Sequence, residues 1–235
     1  MKLMIATPCH HGKVDNAYVL SLTRSLYILD QAKVKTELLL PTTGSILARE
    51  RNEIVQAFVE SDCTHLLCID SDLAWHPEAP LKFLNYDRDI VAGVYPARTN
   101  ADVGKKFLFI PKTIENGAIE SEGNLLKMLG VPAGFLMMTR SAVEKMQEFH
   151  SKLYYSVVNI LGEIEDGYAF FNTELIDGEF WGEDYVFCKR AIESGLDIWC
   201  DPAVPFNHAG TQGALVEILT GIKPINTGIF EYKTG

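Results

Sequence analysis

The chain has 235 residues, 47% of them hydrophobic and 22% charged, which suits one α/β domain with a buried core and is too apolar for a disordered chain. Its formal net charge is -10 and its densest basic stretch is Lys105-Lys106, which excludes a non-specific electrostatic grip on nucleic acid. Five cysteines without a C-x-x-C pair, a start that enters directly as a strand, and no apolar run of membrane-spanning length give the expectation of a soluble, cytoplasmic protein with no leader and no membrane span.

Lys2–Ala6 reads as a strand and the apolar spacing within Ala17–Leu29 as a helix. Thr36–Leu40 is a second strand, stopped by Pro41, and Ile46, Leu47, Ile54, Val55, Phe58 and Val59 then share one helical face. A buried strand follows at His65–Ile69, Pro77 opens a helix where its missing N–H costs little, and Ile90–Val94 is strand again. Strands separated by helices of this length imply right-handed crossovers. Beyond Pro96 the pattern changes, and Lys106–Ile110, Asn116-Gly117 and Leu125–Leu129 read as hairpin or loop material. Phe135–Thr139 is a strand leading into a helix with Ser141-x-x-Glu144 as a capping box. Residues 161–181 read as a loop-rich segment, Glu183–Ser194 as a helix closed by Gly195, and Leu196–Cys200 as a late strand. No repeat or linker divides the chain. The predicted fold class is a single-domain, Rossmann-like α/β fold with a mixed, mainly parallel sheet and helices on both faces.

Four segments carry chemistry. In Asp70-Ser71-Asp72 two carboxylates leave the end of a buried strand two residues apart, a spacing that points both the same way along an extended chain. Open α/β sheets bind ligands at that end. Two close carboxylates repel unless a cation lies between them, and a divalent metal with oxygen ligands answers that. Aspartates also serve in turns, so the uninterrupted strand before them is what favours the metal. His208, in Phe206-Asn207-His208-Ala209-Gly210, supplies an imidazole that could complete the set with Asp70 and Asp72, and mixed oxygen and nitrogen ligands favour Mn²⁺ over Mg²⁺. Phe180-Trp181-Gly182-Glu183-Asp184 opens a helix. Its aromatic pair and glycine suit a stacked sugar ring, and its carboxylates suit a general base. The helix dipole weakens such a base, so burial must compensate. Arg49 and Arg51 lie on an amphipathic helix; Arg matches phosphate or a base edge, while Arg49 and Glu53 also form an ordinary i,i+4 pair.

Together these segments resemble the glycosyltransferase-A fold, in particular the family 2-like, nucleotide-sugar-dependent transferases of bacteria, phages and large DNA viruses. The resemblance is carried, in the family's order, by Ile5–Pro8, Ala48–Asn52, Thr64–Asp72, Ala133–Met138, Gly182–Asp184 and Asn207-His208. It implies one domain, with residues 1–100 forming a nucleotide-sugar half, 101–210 an acceptor-side half and 211–235 a tail or lid. It also implies that Thr7, Pro8 and His10 lie against the nucleobase with Arg49, Arg51 and Asn52 nearby, that Asp70 and Ser71 meet ribose and diphosphate, and that Gly134 and Phe135 line the sugar pocket. Asp184, with Glu183 beside it, is implied as the base, Trp181 and Gly182 as acceptor contacts, and Asp70, Asp72 and His208 as ligands of Mn²⁺ or Mg²⁺. The expected reaction moves a hexosyl or pentosyl group from a nucleoside-diphosphate sugar, with UDP as the expected nucleotide, to an acceptor hydroxyl with inversion. The acceptor could be a glycan, a lipid-linked precursor, a protein or a modified DNA base. A sugar nucleotidyltransferase would carry a Gly-rich basic loop after the first strand, and Thr7-Pro8-Cys9-His10-His11 is not one. A non-catalytic nucleotide- or carbohydrate-binding module has no reason to keep metal donors and a base in register.

Overall fold

The computed structural model describes residues 1–9, 12–41, 46–97, 106–115, 117–158, 162, 164–208, 211–213, 215, 219 and 229–231. In its first half the elements are Lys2–Ala6 (β1), Asn16–Gln31 (α1), Lys35–Leu39 (β2), Leu47–Glu60 (α2), His65–Ile69 (β3), Leu73–Trp75 (β4), Ala79–Leu84 (α3) and Ile90–Ala92 (β5). Short strands Lys106–Leu108 (β6), Ile110–Pro111 (β7) and Ser121–Glu122 (β8) precede Leu125–Gly130 (β9), Phe135–Thr139 (β10) and Arg140–Phe149 (α4). The remainder is Tyr154–Val158 (β11), Ile164–Tyr168 (β12), Glu174–Ile176 (β13), Glu179–Trp181 (β14), Glu183–Glu193 (α5), Ile198–Cys200 (β15), Phe206–His208 (β16), Thr211–Gly213 (β17) and Ile229–Glu231 (β18).

The central sheet runs β2-β1-β3-β10-β5-β15-β9-β7, with β8 on β9. β1, β2, β3, β5 and β15 point the same way, and β10 is inserted antiparallel between β3 and β5. Alternation along the strands sorts the core into two layers. Leu3, Ile5, Leu67, Ile69, Phe135 and Met137 pack against α1 and α3. Met4, Ala6, Leu66, Cys68, Leu136 and Met138 pack against α2, α4 and α5. Strands covered on both faces need apolar residues at every buried position, which is why Leu66–Ile69 reads as one unbroken apolar run.

Three local expectations change, the first being that α3 starts at Ala79 after the N-cap Glu78, with Pro80 rather than Pro77 in its first turn. The N-cap of α4 is Thr139, whose Oγ1 accepts from the Ala142 N–H at 3.1 Å; Ser141 lies inside the helix. The segment expected to be loop-rich holds two antiparallel hairpins, β11–β12 and β13–β14. The second turns through Asp177 and Gly178, both at positive φ, a two-residue Asp-Gly turn whose twist matches the strands it joins. Of the expected tail, β17 pairs with β16 and β18 with β6. No helix among the described residues is long and apolar enough to cross a membrane.

Candidate active site

The chemistry gathers where β1, β3 and β5 end. Asp70 directly follows β3, and its backbone N–H donates to the Gly134 carbonyl at 2.9 Å, just ahead of β10. The chain then turns immediately into β4, which pairs antiparallel with β16 so that Leu73 faces His208. That pairing places His208 Nε2 3.4 Å from Asp72 Oδ2, two residues 136 positions apart in the sequence. The other ring nitrogen, Nδ1, lies 2.9 Å from the Pro96 carbonyl. A carbonyl only accepts, so Nδ1 carries the hydrogen and the neutral tautomer turns its Nε2 lone pair toward a carboxylate. Two acceptors at that separation call for a proton or a cation between them. Donors about 2.1 Å from a single ion sit about 3.0–3.4 Å apart, and a histidine fixed through its far nitrogen by a carbonyl is how metal-binding imidazoles are oriented. The donor set therefore fits a divalent cation.

Asp70 is placed differently from expectation. Its Oδ1 accepts from Arg51 Nη2 at 2.8 Å, and its Oδ2 from the Tyr95 hydroxyl at 3.3 Å. Among the described residues the donor atoms of Asp70, Asp72 and His208 do not all come within 4.8 Å of one another; the group that does is Glu37, Asp62 and Cys63. That group lies at the opposite end of the sheet, where the Lys2 ammonium bridges Glu37 and Asp62 and already supplies the positive charge. The residues placed to hold a metal together are thus Asp72 and His208, while Asp70 is engaged by Arg51 and Tyr95.

Tyr95 went unnoticed in the sequence, where it follows an apolar strand like any core aromatic. It is 9% exposed. Its hydroxyl accepts from the Gly134 N–H at 3.1 Å while donating to Asp70, and its ring meets the His208 ring edge-on at 5.0 Å. Burial first, and then the Asp70 charge, push its hydroxyl well above the ordinary range, so it stays protonated and able to donate. Gly134 is required here because a Cβ would overlap both the Tyr95 hydroxyl and Asp70 Oδ2.

On the other side stands the first turn of α5, with Gly182 as N-cap and Glu183 and Asp184 following. Asp184 is raised to about 6, by burial first and by the Glu183 charge second, against the lowering influence of the Tyr185 N–H and Arg51. Burial therefore outweighs the helix dipole, as a base at a helix N-terminus requires. Trp181 ends β14 one residue before the N-cap and is partly exposed, whereas Phe180 is 76% exposed.

Several expected donor contacts resolve into structural roles. Thr7 is buried, and its hydroxyl meets the Tyr18 hydroxyl at 2.5 Å; Pro8 is buried with it. Arg49 is held on the surface by Glu53 and Glu165, each at 2.7 Å. Asn52 clamps the backbone of Phe171 with its amide, donating to the carbonyl and accepting from the N–H, both at 2.8 Å. Phe135 lies in the core against Trp75, Phe83 and Phe206 rather than in a sugar pocket. Arg51 is 2% exposed and spends its donors on protein groups. Ser71 is partly exposed between the two aspartates, its carbonyl accepting from the Asp15 N–H. His10 lies outside the described residues.

No family model and no curated protein matches the chain. Among solved structures it is similar over its whole length to A197 from STIV, with 14% identity, a TM-score of 0.52, and coverage of 100% of this chain and 96% of that one. It is also similar to TarS 1-349 from S. aureus, with 14% identity and a TM-score of 0.46 over 85% of this chain and 58% of that one. A third is the inositol-1-phosphate CTP transferase from T. maritima, with 11% identity and a TM-score of 0.42 over 88% of each chain. At such identities likeness speaks for fold alone, and the full-length match carries it. With β10 inserted antiparallel between β3 and β5, and an aspartate motif at the end of β3, the chain has the glycosyltransferase-A type of fold.

Proposed function

We propose that the chain is a glycosyltransferase that moves a sugar from a nucleoside-diphosphate sugar to an acceptor hydroxyl. The observation that carries this reading is a carboxyl, Asp184, raised to about 6 at the same end of the sheet as Asp72 and His208. A general base works best when its pKa lies near the working pH, and a site with separated base and metal donors suits displacement of a charged leaving group. Asp72 and His208 would hold Mn²⁺ or Mg²⁺, whose charge would stabilise the departing diphosphate.

The chain's own residues would do the rest. Asp184 takes the proton of the acceptor hydroxyl as its oxygen bonds to the anomeric carbon and the bond to the diphosphate oxygen breaks. One displacement with a separate base inverts the anomeric centre. Trp181, partly exposed one residue before the N-cap, offers a ring face for an acceptor sugar, and Gly182 lets the acceptor approach α5. Ser71, partly exposed between the aspartates, would meet the ribose and diphosphate, with Asp70 held beside it by Arg51 and Tyr95. The reading is tested by incubating the protein with UDP-, GDP- and dTDP-sugars with and without Mn²⁺. Free nucleoside diphosphate, with an acceptor or by slow hydrolysis without one, is the expected product. Release of pyrophosphate from a nucleoside triphosphate and a sugar phosphate would make it a nucleotidyltransferase, and binding with no bond broken would make it a binding module.

A further inference from the structure

Arg51 makes contacts that neither a donor-binding arginine nor an ordinary core residue would need. Its Nη1 donates to the Ala133 carbonyl at 3.0 Å and its Nη2 to Asp70 at 2.8 Å. Its Nε makes no hydrogen bond and points its charge at Glu183 Oε1, 3.6 Å away. The guanidinium lies 5.8 Å from the centroid of Phe171, whose backbone is clamped by the neighbouring Asn52 and whose ring stacks on Phe187 of α5 at 4.5 Å. One buried side chain on α2 thus touches the end of β3, the segment before β10 and the first turn of α5. Burying a guanidinium is costly unless its donors and charge are matched, so such a residue fixes its partners in one arrangement.

We propose that Arg51 is a positioning residue that holds the first turn of α5, and with it Asp184, in register with the donor-side end of β3, and that it does not bind the donor. This rests on the transferase reading and adds a coupling between the two halves of its site. The planar fork matters because two of its nitrogens are committed to Asp70 and Ala133 while the third faces Glu183; a lysine ammonium has a single centre and cannot keep that geometry. Among the described residues, the charged and titratable groups that act on or respond to Asp184 are Glu183 and Tyr185 on α5, Arg51 on α2, Tyr95 beyond β5, and Cys188 one turn along α5. Arg51 is the cation among them.

The test compares Arg51→Lys, Arg51→Met and Glu183→Gln with the wild type. Three readouts are used: titration of the Asp184 carboxyl by NMR without donor, UDP affinity in the presence of Mn²⁺ by calorimetry, and kcat against KM for the active donor. In Arg51→Met the Asp184 titration moves up, because a nearby cation is lost; in Glu183→Gln it moves down, because a nearby anion is lost. Arg51→Lys keeps the charge and leaves the titration near the wild-type position, yet lowers kcat by about 10²-fold through misplacement of the base, with UDP affinity changed less than about threefold. Unmoved titration in both Arg51→Met and Glu183→Gln overturns the proposal, and so does a Lys variant that loses UDP affinity while keeping kcat. If Arg51→Met fails to fold, the two conservative variants carry the decision. A wild type that cleaves no sugar nucleotide sinks the transferase reading, whereas the Asp184 titration still decides the role of Arg51.

Discussion

The two ends of the central sheet are both rich in charge, and they differ in how that charge is resolved. At the amino ends of β3, β5 and β15 lies an open groove of about 580 Å³ lined by Asp87, Asp89, Arg140, Asp197 and Trp199 among others. There Arg140 donates to the carbonyls of Phe58, Val59, Ser61 and Cys63, closing the end of α2, and Asp89 accepts from Thr139 and Ser141 at the start of α4. The Arg140 contacts answer unsatisfied carbonyls at the end of α2, and the Asp89 contacts orient the Thr139 hydroxyl that caps α4. At the carboxyl ends charged groups crowd one another: the Asp72 carboxylate lies 3.4 Å from the His208 imidazole, Asp184 is lifted to about 6, and Arg51 is buried between Asp70 and Glu183. Size of cavity and density of charge are therefore poor guides. A carboxyl with a shifted titration, at the same end of the sheet as an imidazole and a second carboxylate, is what marks the site.

This contrast can be broken by mutation. The largest effect is expected at the donor pair, where Asp72→Ala or His208→Ala should lower turnover by at least about 10³-fold and abolish the Mn²⁺-induced rise in melting temperature, with the circular dichroism spectrum unchanged. Retained metal response in either variant would return the pair to an ordinary imidazolium–carboxylate contact. Asp184→Asn should lower kcat by roughly 10²–10⁴-fold. In the wild type, activity should fall on the acid side of about pH 6 as Asp184 gains its proton.

The same residue makes a stability prediction of opposite sign. A carboxyl raised in the folded state favours folding at low pH, and that contribution is lost as pH rises through about 6. The Asn variant should therefore melt about 2–4 °C above the wild type at pH 8 and level with it at pH 4, the gain being modest because the side chain is only partly buried. At the opposite end of the sheet, Arg140→Met should cost roughly 2–3 kcal/mol in denaturant unfolding by leaving the α2 carbonyls without donors, with kcat per folded molecule unchanged. Asp89→Asn is the smallest change, about 1 kcal/mol of stability from a weakened α4 start and nothing in turnover. Catalytic loss from either amino-end variant would erase the distinction between the two ends.

Much of this was legible in the chain. The apolar runs at Lys2–Ala6, His65–Ile69 and Phe135–Thr139 announced strands buried on both faces, and Asp70–Asp72 announced a site at the end of one of them. Hairpin β13–β14 was also legible, since Ile176-Asp177-Gly178-Glu179 carries the turn dipeptide, but its aromatics and glycines drew attention first. The resemblance implied donor contacts for residues that the structure shows in contact with protein groups. Arg49, Asn52, Thr7 and Phe135 all sit beside chemistry in sequence, and the structure assigns them to ion pairing, backbone clamping and core packing. Tyr95 gave no sequence signal at all, because its hydroxyl finds Asp70 and Gly134 only after β5 and β10 are neighbours.

By itself the sequence determined the layers of the fold and the residue types available for chemistry, because periodicity and hydrophobicity act over a few neighbouring positions. Tertiary structure alone decided which carboxylate meets His208, since that depends on the register of β4 against β16, set by strands far apart in the chain. It also decided that Asp184 is raised to about 6 and that Arg51 is buried between Asp70 and Glu183. Desolvation and charge pairing depend on what surrounds a group in space, and no local pattern of residues encodes that.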